Sequence, residues 1–211
     1  MLIIKAAGNS LSYLINGSYE RIAKMADSVN SLVVGSIAGE KGRYDLAEVG
    51  MPSPFTRCGP GPGYIVKPDL VAFGGNAGKS PSGLTTTGVK VFSADGTPSR
   101  APGTSFSTPW VARVASELDF LLDEGFDPLL IKALMIHNAE YPAGGMMRMD
   151  DKRKLMGFGM PIGTRDILYN SENEITLILR DSLANKQYIE ILGFPFAKSL
   201  VGDDGRYHCD I

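Results

Sequence analysis

The stretch Ser31-Leu32-Val33-Val34-Gly35-Ser36-Ile37 does most to limit the architecture of this chain. It is β-branched and apolar without alternation, so the strand it predicts is buried on both faces. Such a strand belongs in a parallel sheet covered by helices, not in an antiparallel sheet with one wet face. Leu2–Ala7 reads the same way and stops at Gly8-Asn9. Asp69–Phe73 is a shorter apolar strand closed by Gly74-Gly75, and Val89–Phe92 is a further candidate. Because the first strand starts with no lead-in, further chain is expected upstream.

Helical signals lie between and after these strands. Residues 18–28 allow a short helix or helical turn. From Ser105 to Asp123 the residues Val111, Val114, Leu118, Leu121 and Leu122 recur at spacings of three and four, which predicts a helix with one buried face. Asp127-Pro128 then supplies an N-cap and a first-position proline for a second helix. That helix is apolar nearly all round and is expected to be interior. Residues 38–67 form a long Pro- and Gly-rich loop, and Gly74–Gly78 reads as a flexible Gly-rich one. Near the C-terminus Ile175–Arg180 and Gln187–Leu192 predict an antiparallel hairpin. The expected fold class is α/β: a partial parallel sheet with helices over residues 1–163, then a β-rich extension with a C-terminal antiparallel hairpin over 164–211.

Composition removes several function classes. The 21 Lys+Arg nearly balance the 23 Asp+Glu, giving a net charge of -2, so no electrostatic case exists for nucleic acid or an anionic membrane as main partner. No apolar run is long enough to span a bilayer. Cys58 and Cys209 cannot make a disulfide framework. His137 and His208 are too few for a His-rich metal site, and no zinc spacing, phosphate loop or dinucleotide pattern is present. Neither a cofactor nor a metal is expected. The N-terminal residues carry no readable secretion signal, and localisation stays open.

The stretch that points to chemistry is Gly103-Thr104-Ser105-Phe106-Ser107-Thr108-Pro109. A glycine permits a sharp turn, a serine sits where a helix begins and a proline falls in its first turn. Ser105 would then lie at the positive end of a helix dipole beside unpaired N–H groups. A serine nucleophile gains most there, because its own amide can donate to a developing oxyanion. An ordinary N-cap serine fits the same residues equally well.

Four further blocks bear on that choice. Residues 103–112, GTSFSTPWVA, closely resemble the nucleophile motif of the subtilisin-like serine proteases, whose pattern is G-T-S-x-[AS]-x-P-x-V-[AS]. Ala6-Ala7-Gly8-Asn9 resembles that family's A-A-G-N block, and Lys67–Gly74 (KPDLVAFG) its K-P-D-[VIL]-x-A-P-G segment. Lys132–Ala139 (KALMIHNA) is similar to the helix that follows the nucleophile helix. Phe55–Pro60 (FTRCGP) is a weaker match to F-S-[SN]-x-G-P. The resemblance covers roughly residues 1–163, with Phe73 in place of proline and Phe106 in place of Met or Leu.

The resemblance implies a subtilisin-like parallel sheet and a serine endopeptidase acting through an acyl-enzyme, with a peptide or protein as substrate. It implies that Ser105 is the nucleophile and that Asn9 donates to the oxyanion. It places Ala6, Ala7, Gly8, Gly103 and Thr104 along the substrate cleft. In this family Asp and His precede Ser in the chain, and both precede the A-A-G-N block. Neither stands before Asn9 here. The chain is therefore expected to be the C-terminal half of a catalytic domain, inactive alone, with the missing N-terminal half as a partner. A non-catalytic peptide-binding module derived from a subtilase is the alternative. The order Ser105, Asp123 or Asp127, then His137 formally fits an α/β-hydrolase, but its context fails: His137 falls within an apolar helix, where a core or half-buried histidine is expected.

Overall fold

The computed structural model describes residues 1–122, 125, 127–169, 176–179, 181–192 and 201–206. The chain divides into two compact units, Met1–Gly163 and Thr164–Ile211. In the first unit, β1 (Ile4–Ala6), β2 (Leu32–Ile37) and β3 (Leu70–Phe73) form a parallel sheet in the order β1-β2-β3. Ile4 pairs with Leu32, and Val34 with Leu70. The central β2 is buried at every residue, as its unbroken apolar run requires, whereas β1 is only half-buried. Val33 packs with Ala7, Ile22 and Ala26, and Ile37 with Cys58, Val71, Leu155 and Met156. On the opposite face of β2, Ser36 lies close to Ser107 of α2 (Thr104–Leu121), with Gly74 between them. This long helix packs on all three strands and buries Thr104, Ser107, Val111, Val114, Ala115 and Leu118, a single helical stripe.

Several expectations change. Of the two alternatives for residues 18–28, the helical turn forms, a 3-10 turn at Lys24–Ala26, and the longer helix does not. The Ile22 N–H donates to Cys58 O and the Ala23 N–H to Ala7 O, so these amides bind neighbouring segments rather than a helix's own carbonyls. A short α1 (Ser12–Asn16) forms instead, closed by Gly17 at φ +76°. The Gly-rich stretch after β3 is a strand: β4 (Asn76–Ser80) pairs antiparallel with β5 (Gly83–Thr87), and β6 (Val89–Phe92) with β7 (Pro98–Ala101). Asn76 anchors this region. It is fully buried, donates to Glu40 O and Ala47 O, and accepts from Ala77 N–H.

The second predicted helix, α3 (Pro128–His137), begins at the expected cap, with Asp127 accepting from the N–H of Leu129 and Leu130. It is not interior all round: Ile131, Leu134 and Met135 are buried while Leu129 is 77% exposed. One face packs towards α2 and the other meets solvent. A β8–β9 pair (Ala139–Glu140 with Met160–Pro161) and α4 (Met149–Met156) complete this unit.

The second unit contains α5 (Thr164–Leu168). Among the described residues the antiparallel hairpins lie at 76–101, and the described part of the predicted C-terminal pair, Thr176–Leu179 and Gln187–Leu192, is in no strand. Leu179, Tyr188 and Leu192 are exposed there, and a hairpin without a buried face is marginal in water. Ile175 and Arg180 lie outside the described residues. No helix among the described residues is long and apolar enough to cross a membrane.

One buried ionic cluster joins the sheet to α3. The Lys67 ammonium, fully buried, donates to Ser31 O at 2.7 Å and to Asp69 Oδ2. The same Asp69 oxygen accepts from Val33 N–H at 2.6 Å, and its other oxygen faces the Lys132 ammonium at 3.2 Å. Burial pulls the Lys67 pKa down, opposed by the Asp69 carboxylate. Removing one member of a buried pair leaves an uncompensated charge, a loss of about 3–5 kcal/mol. Asp69→Asn should lower unfolding stability by that order in urea titration, whereas Lys67→Met, which leaves Asp69 facing Lys132, should cost less. Equal losses would show that the charge balance is not what matters.

Candidate active site

The site assembles from two chain segments. The first is the end of β1. After Ala6 and the buried Ala7 the chain turns at Gly8, whose φ of +98° suits glycine. A Cβ there would also press on Ala23 Cβ at 2.9 Å and Arg57 Cδ at 3.0 Å. Asn9 follows, exposed, beside the loop around Thr56: Ser10 N–H donates to Phe55 O and Arg57 N–H to Gly8 O. Ala7 has no polar group to spare, since its N–H donates to Val34 O and its carbonyl accepts from Ala23 N–H.

The second segment is the start of α2. Gly103 N–H donates to Gly74 O at 2.8 Å, which ties this loop to the end of β3. Thr104 is buried and opens the helix, and Ser105 follows it, exposed. Across 95 residues of sequence, Asn9 Oδ1 accepts from the Thr104 N–H at 2.9 Å and from its hydroxyl at 3.1 Å. A backbone N–H can face only an acceptor, so this contact fixes which way the Asn9 amide points. Its Nδ2 then lies beside Gly103, where a Cβ would stand 3.3 Å away. Gly103 itself has φ +156°, and a side chain there would crowd the amide. Among the described residues the Ser105 N–H makes no backbone hydrogen bond, as expected for the first turn of a helix.

Thus Gly8, Asn9, Gly103, Thr104 and Ser105 share one locality, with Ala6 and Ala7 leading into it. Pro109 stands in the second turn of α2, not the first, because the helix already begins at Thr104. It offers no N–H to the Ser105 carbonyl. The Thr108 hydroxyl donates to Thr104 O at 2.8 Å within the same turn.

The histidines stand apart from this arrangement. His137 is exposed at the end of α3, not half-buried as expected, because only Ile131, Leu134 and Met135 of that helix turn inward. Among the described residues no hydrogen bond joins Ser105 to His137 or Asp127, and Asp127 caps α3. Asp123, His208 and Cys209 lie outside the described residues.

A layer of hydroxyls beneath the Ser105 loop was not apparent from the motif. The Ser36 and Ser53 hydroxyls lie 2.7 Å apart, and Ser53 donates to Gly75 O at 2.6 Å. Ser107 Oγ is buried beside them without a hydrogen-bond partner among the described residues. A Cβ on Gly74 would overlap Ser107 Oγ and Ser36 Oγ and crowd Gly103 O, so only glycine lets β3 approach α2 this closely. The paired glycines after an apolar strand are the one sequence signal of that approach.

Comparison with known proteins agrees with this architecture. The sequence model of the subtilase family matches residues 1–165. The chain belongs to the subtilase family. That membership supports a peptidase-type function. A Sinorhizobium fredii (strain NBRC 101917 / NGR234) relative, uncharacterized protein y4bN, is 28% identical, over 81% of this chain and 45% of its own length. The prenylagaramide maturation protease PagA has the same fold, with a TM-score of 0.53 and 24% identity over 81% of this chain and 51% of PagA. So does the epidermin leader peptide processing serine protease (EpiP) from Staphylococcus aureus, with a TM-score of 0.51 and 16% identity, covering 83% and 42%. The chain therefore spans about half the length of such proteins.

The two departures from the subtilase pattern have identifiable places. In this subtilase the Phe106 ring lies over Gly103, 3.6 Å from where a Cβ would stand, and Phe73 packs against Gly39. A buried hydroxyl without a partner carries a desolvation cost of about 1–3 kcal/mol. Ser107→Ala should therefore leave thermal stability unchanged or raise it by about 1 kcal/mol. A clear loss on calorimetry would show that this hydroxyl is paired.

Proposed function

We propose that this chain carries the nucleophile and oxyanion half of a subtilisin-like serine endopeptidase. Ser105 attacks the scissile carbonyl, and the Asn9 side chain with the Ser105 amide receives the negative charge that develops on the carbonyl oxygen. Ala6 and Gly8 border the peptide, and the buried Ala7, Gly103 and Thr104 support this edge from beneath. The base that takes the serine proton, and the carboxylate that orients it, come from residues outside this chain. A peptide or protein is the substrate.

The observation that supports this reading best is the contact between Asn9 and Thr104. An asparagine that only turned the chain would need no partner for its side chain. Here both donors of Thr104 are committed to its carbonyl oxygen, and its amide is left for another acceptor. The helix dipole of α2 adds positive potential at the same place. A non-catalytic peptide-binding module is the second reading, favoured by one observation: no base is bonded to Ser105 among the described residues.

Two measurements separate these readings. In the protein supplied with the remaining part of the catalytic domain, Asn9→Asp keeps the acceptor for Thr104 but cannot donate to an oxyanion. It should lower kcat by about 10²–10³-fold with KM little changed, the loss expected for one oxyanion donor. A kcat near that of the parent would make Asn9 a turn residue. The 211-residue chain by itself should label with a fluorophosphonate no faster than Ser105→Ala, because an unassisted serine hydroxyl is a weak nucleophile. Fast stoichiometric labelling would mean that a base within this chain serves Ser105.

A further inference from the structure

Asn9 is exposed and follows a glycine, so packing cannot hold it. Its side chain is fixed at one end by Thr104. Its backbone is fixed by Arg57, whose guanidinium meets three acceptors at once. Nε donates to Asn9 O at 3.2 Å, Nη1 to Arg21 O at 3.0 Å, and Nη2 faces Glu20 Oε2 at 2.8 Å. The Arg57 N–H also donates to Gly8 O at 3.2 Å, so one residue grips the Gly8-Asn9 turn through both main chain and side chain. The subtilase pattern has Ser or Asn at this position, and neither could span these partners.

We propose that Arg57 is a positioning residue for Asn9, holding its backbone so that the amide stays aimed beside Ser105. The proposal rests on the oxyanion role of Asn9. A planar fork with fixed donor directions suits three acceptors on separate segments. Two of these, Asn9 O and Arg21 O, are backbone carbonyls, so the clamp joins the turn to the 20–21 segment. Glu20 balances the charge and sets the plane of the fork. Lysine would keep the charge but not the fork. Freed from this clamp, Asn9 can swing about Gly8. A displacement near 1 Å at a catalytic group costs up to about 10²-fold in rate.

The test compares Arg57→Gln and Arg57→Lys in the full-length protein. Both variants should lose about tenfold or more in kcat with KM within about twofold. Recovery of kcat by Arg57→Lys would overturn the proposal in favour of a simple nearby charge, and a lowered melting temperature with kcat intact would reduce Arg57 to a structural tie. A second readout needs no activity. The Asn9 side-chain amide, identified in nitrogen-15 spectra by its loss in Asn9→Asp, should shift and exchange its hydrogens about fivefold faster or more in both variants. The buried amide of Asn76, bonded to Glu40 O and Ala47 O, should not change. An unmoved Asn9 resonance overturns the proposal whatever the kinetics show. If Ser105→Ala leaves hydrolysis intact, the peptidase reading falls, and the Asn9 resonance alone decides the role of Arg57.

Discussion

The buried carboxylate of Asp69 ties β2, β3 and α3 together. It stands at the start of β3, accepts from the main chain of β2 at Val33, and meets two ammonium groups that reach it from different directions. Lys67 brings Ser31 O into the cluster, and Lys132 brings α3. A carboxylate this buried is tolerable only because both its oxygens are occupied. Its partners therefore have little freedom in their placement, and β2, β3 and α3 are brought into one arrangement. With that end of the sheet set, the carboxyl ends of the three strands deliver Ala7-Gly8-Asn9, Ala38 and Gly74-Gly75.

The site grows from those strand ends. In open α/β sheets the crevice outside the carboxyl ends of the strands is where ligands bind. Here β1 runs into Asn9, and β3 runs into Gly74, whose carbonyl holds Gly103 and so the start of α2. Close approach is possible because Gly74 has no Cβ to meet the Ser36 and Ser107 hydroxyls. Sheet and helix thus meet at the point where Asn9 bonds to Thr104.

How much of this could be read from the residues follows from the range of the interactions. The parallel sheet and α2 were legible because burial on both faces, or along one stripe, writes itself into local composition. That the Asn9 segment meets the start of α2 follows from no local rule, since the positions are so far apart; only the motif resemblance suggests it. Of the short helix or helical turn that residues 18–28 allow, only the turn forms, because the Ile22 and Ala23 amides donate to Cys58 O and Ala7 O, a non-local competition that propensity does not register. The composition of Gly74–Gly78 predicts a flexible loop, yet Asn76 within it is fully buried and begins β4. Its four-way bonding depends on Glu40 and Ala47, which sequence spacing does not bring to mind. The clamp of Arg57 carries no local signal for the same reason: two of its three guanidinium acceptors are the carbonyls of Asn9 and Arg21, and the third, Glu20, lies 37 residues away in sequence.

The two kinds of restraint in this unit divide labour in a way that physical chemistry requires. Asn9 and Ser105 are exposed, as the proposed contact with a peptide requires, and gain nothing from the hydrophobic effect. Their precision has to come from directional contacts, and each such contact in partly wet surroundings is worth only about 0.5–1.5 kcal/mol. Several must act together, which is why Asn9 is held at its side chain by Thr104 and at its backbone by Arg57. The core beneath behaves in the opposite manner. Ala7, Val33, Ile37 and Val71 are fully buried, and Lys67 and Asp69 of the ionic cluster are buried with them. Damage there lowers the folded fraction but leaves the geometry of each folded molecule intact. On the proposed role of Asn9, damage at the clamps leaves the fold standing while loosening the angle at which its amide meets an acceptor.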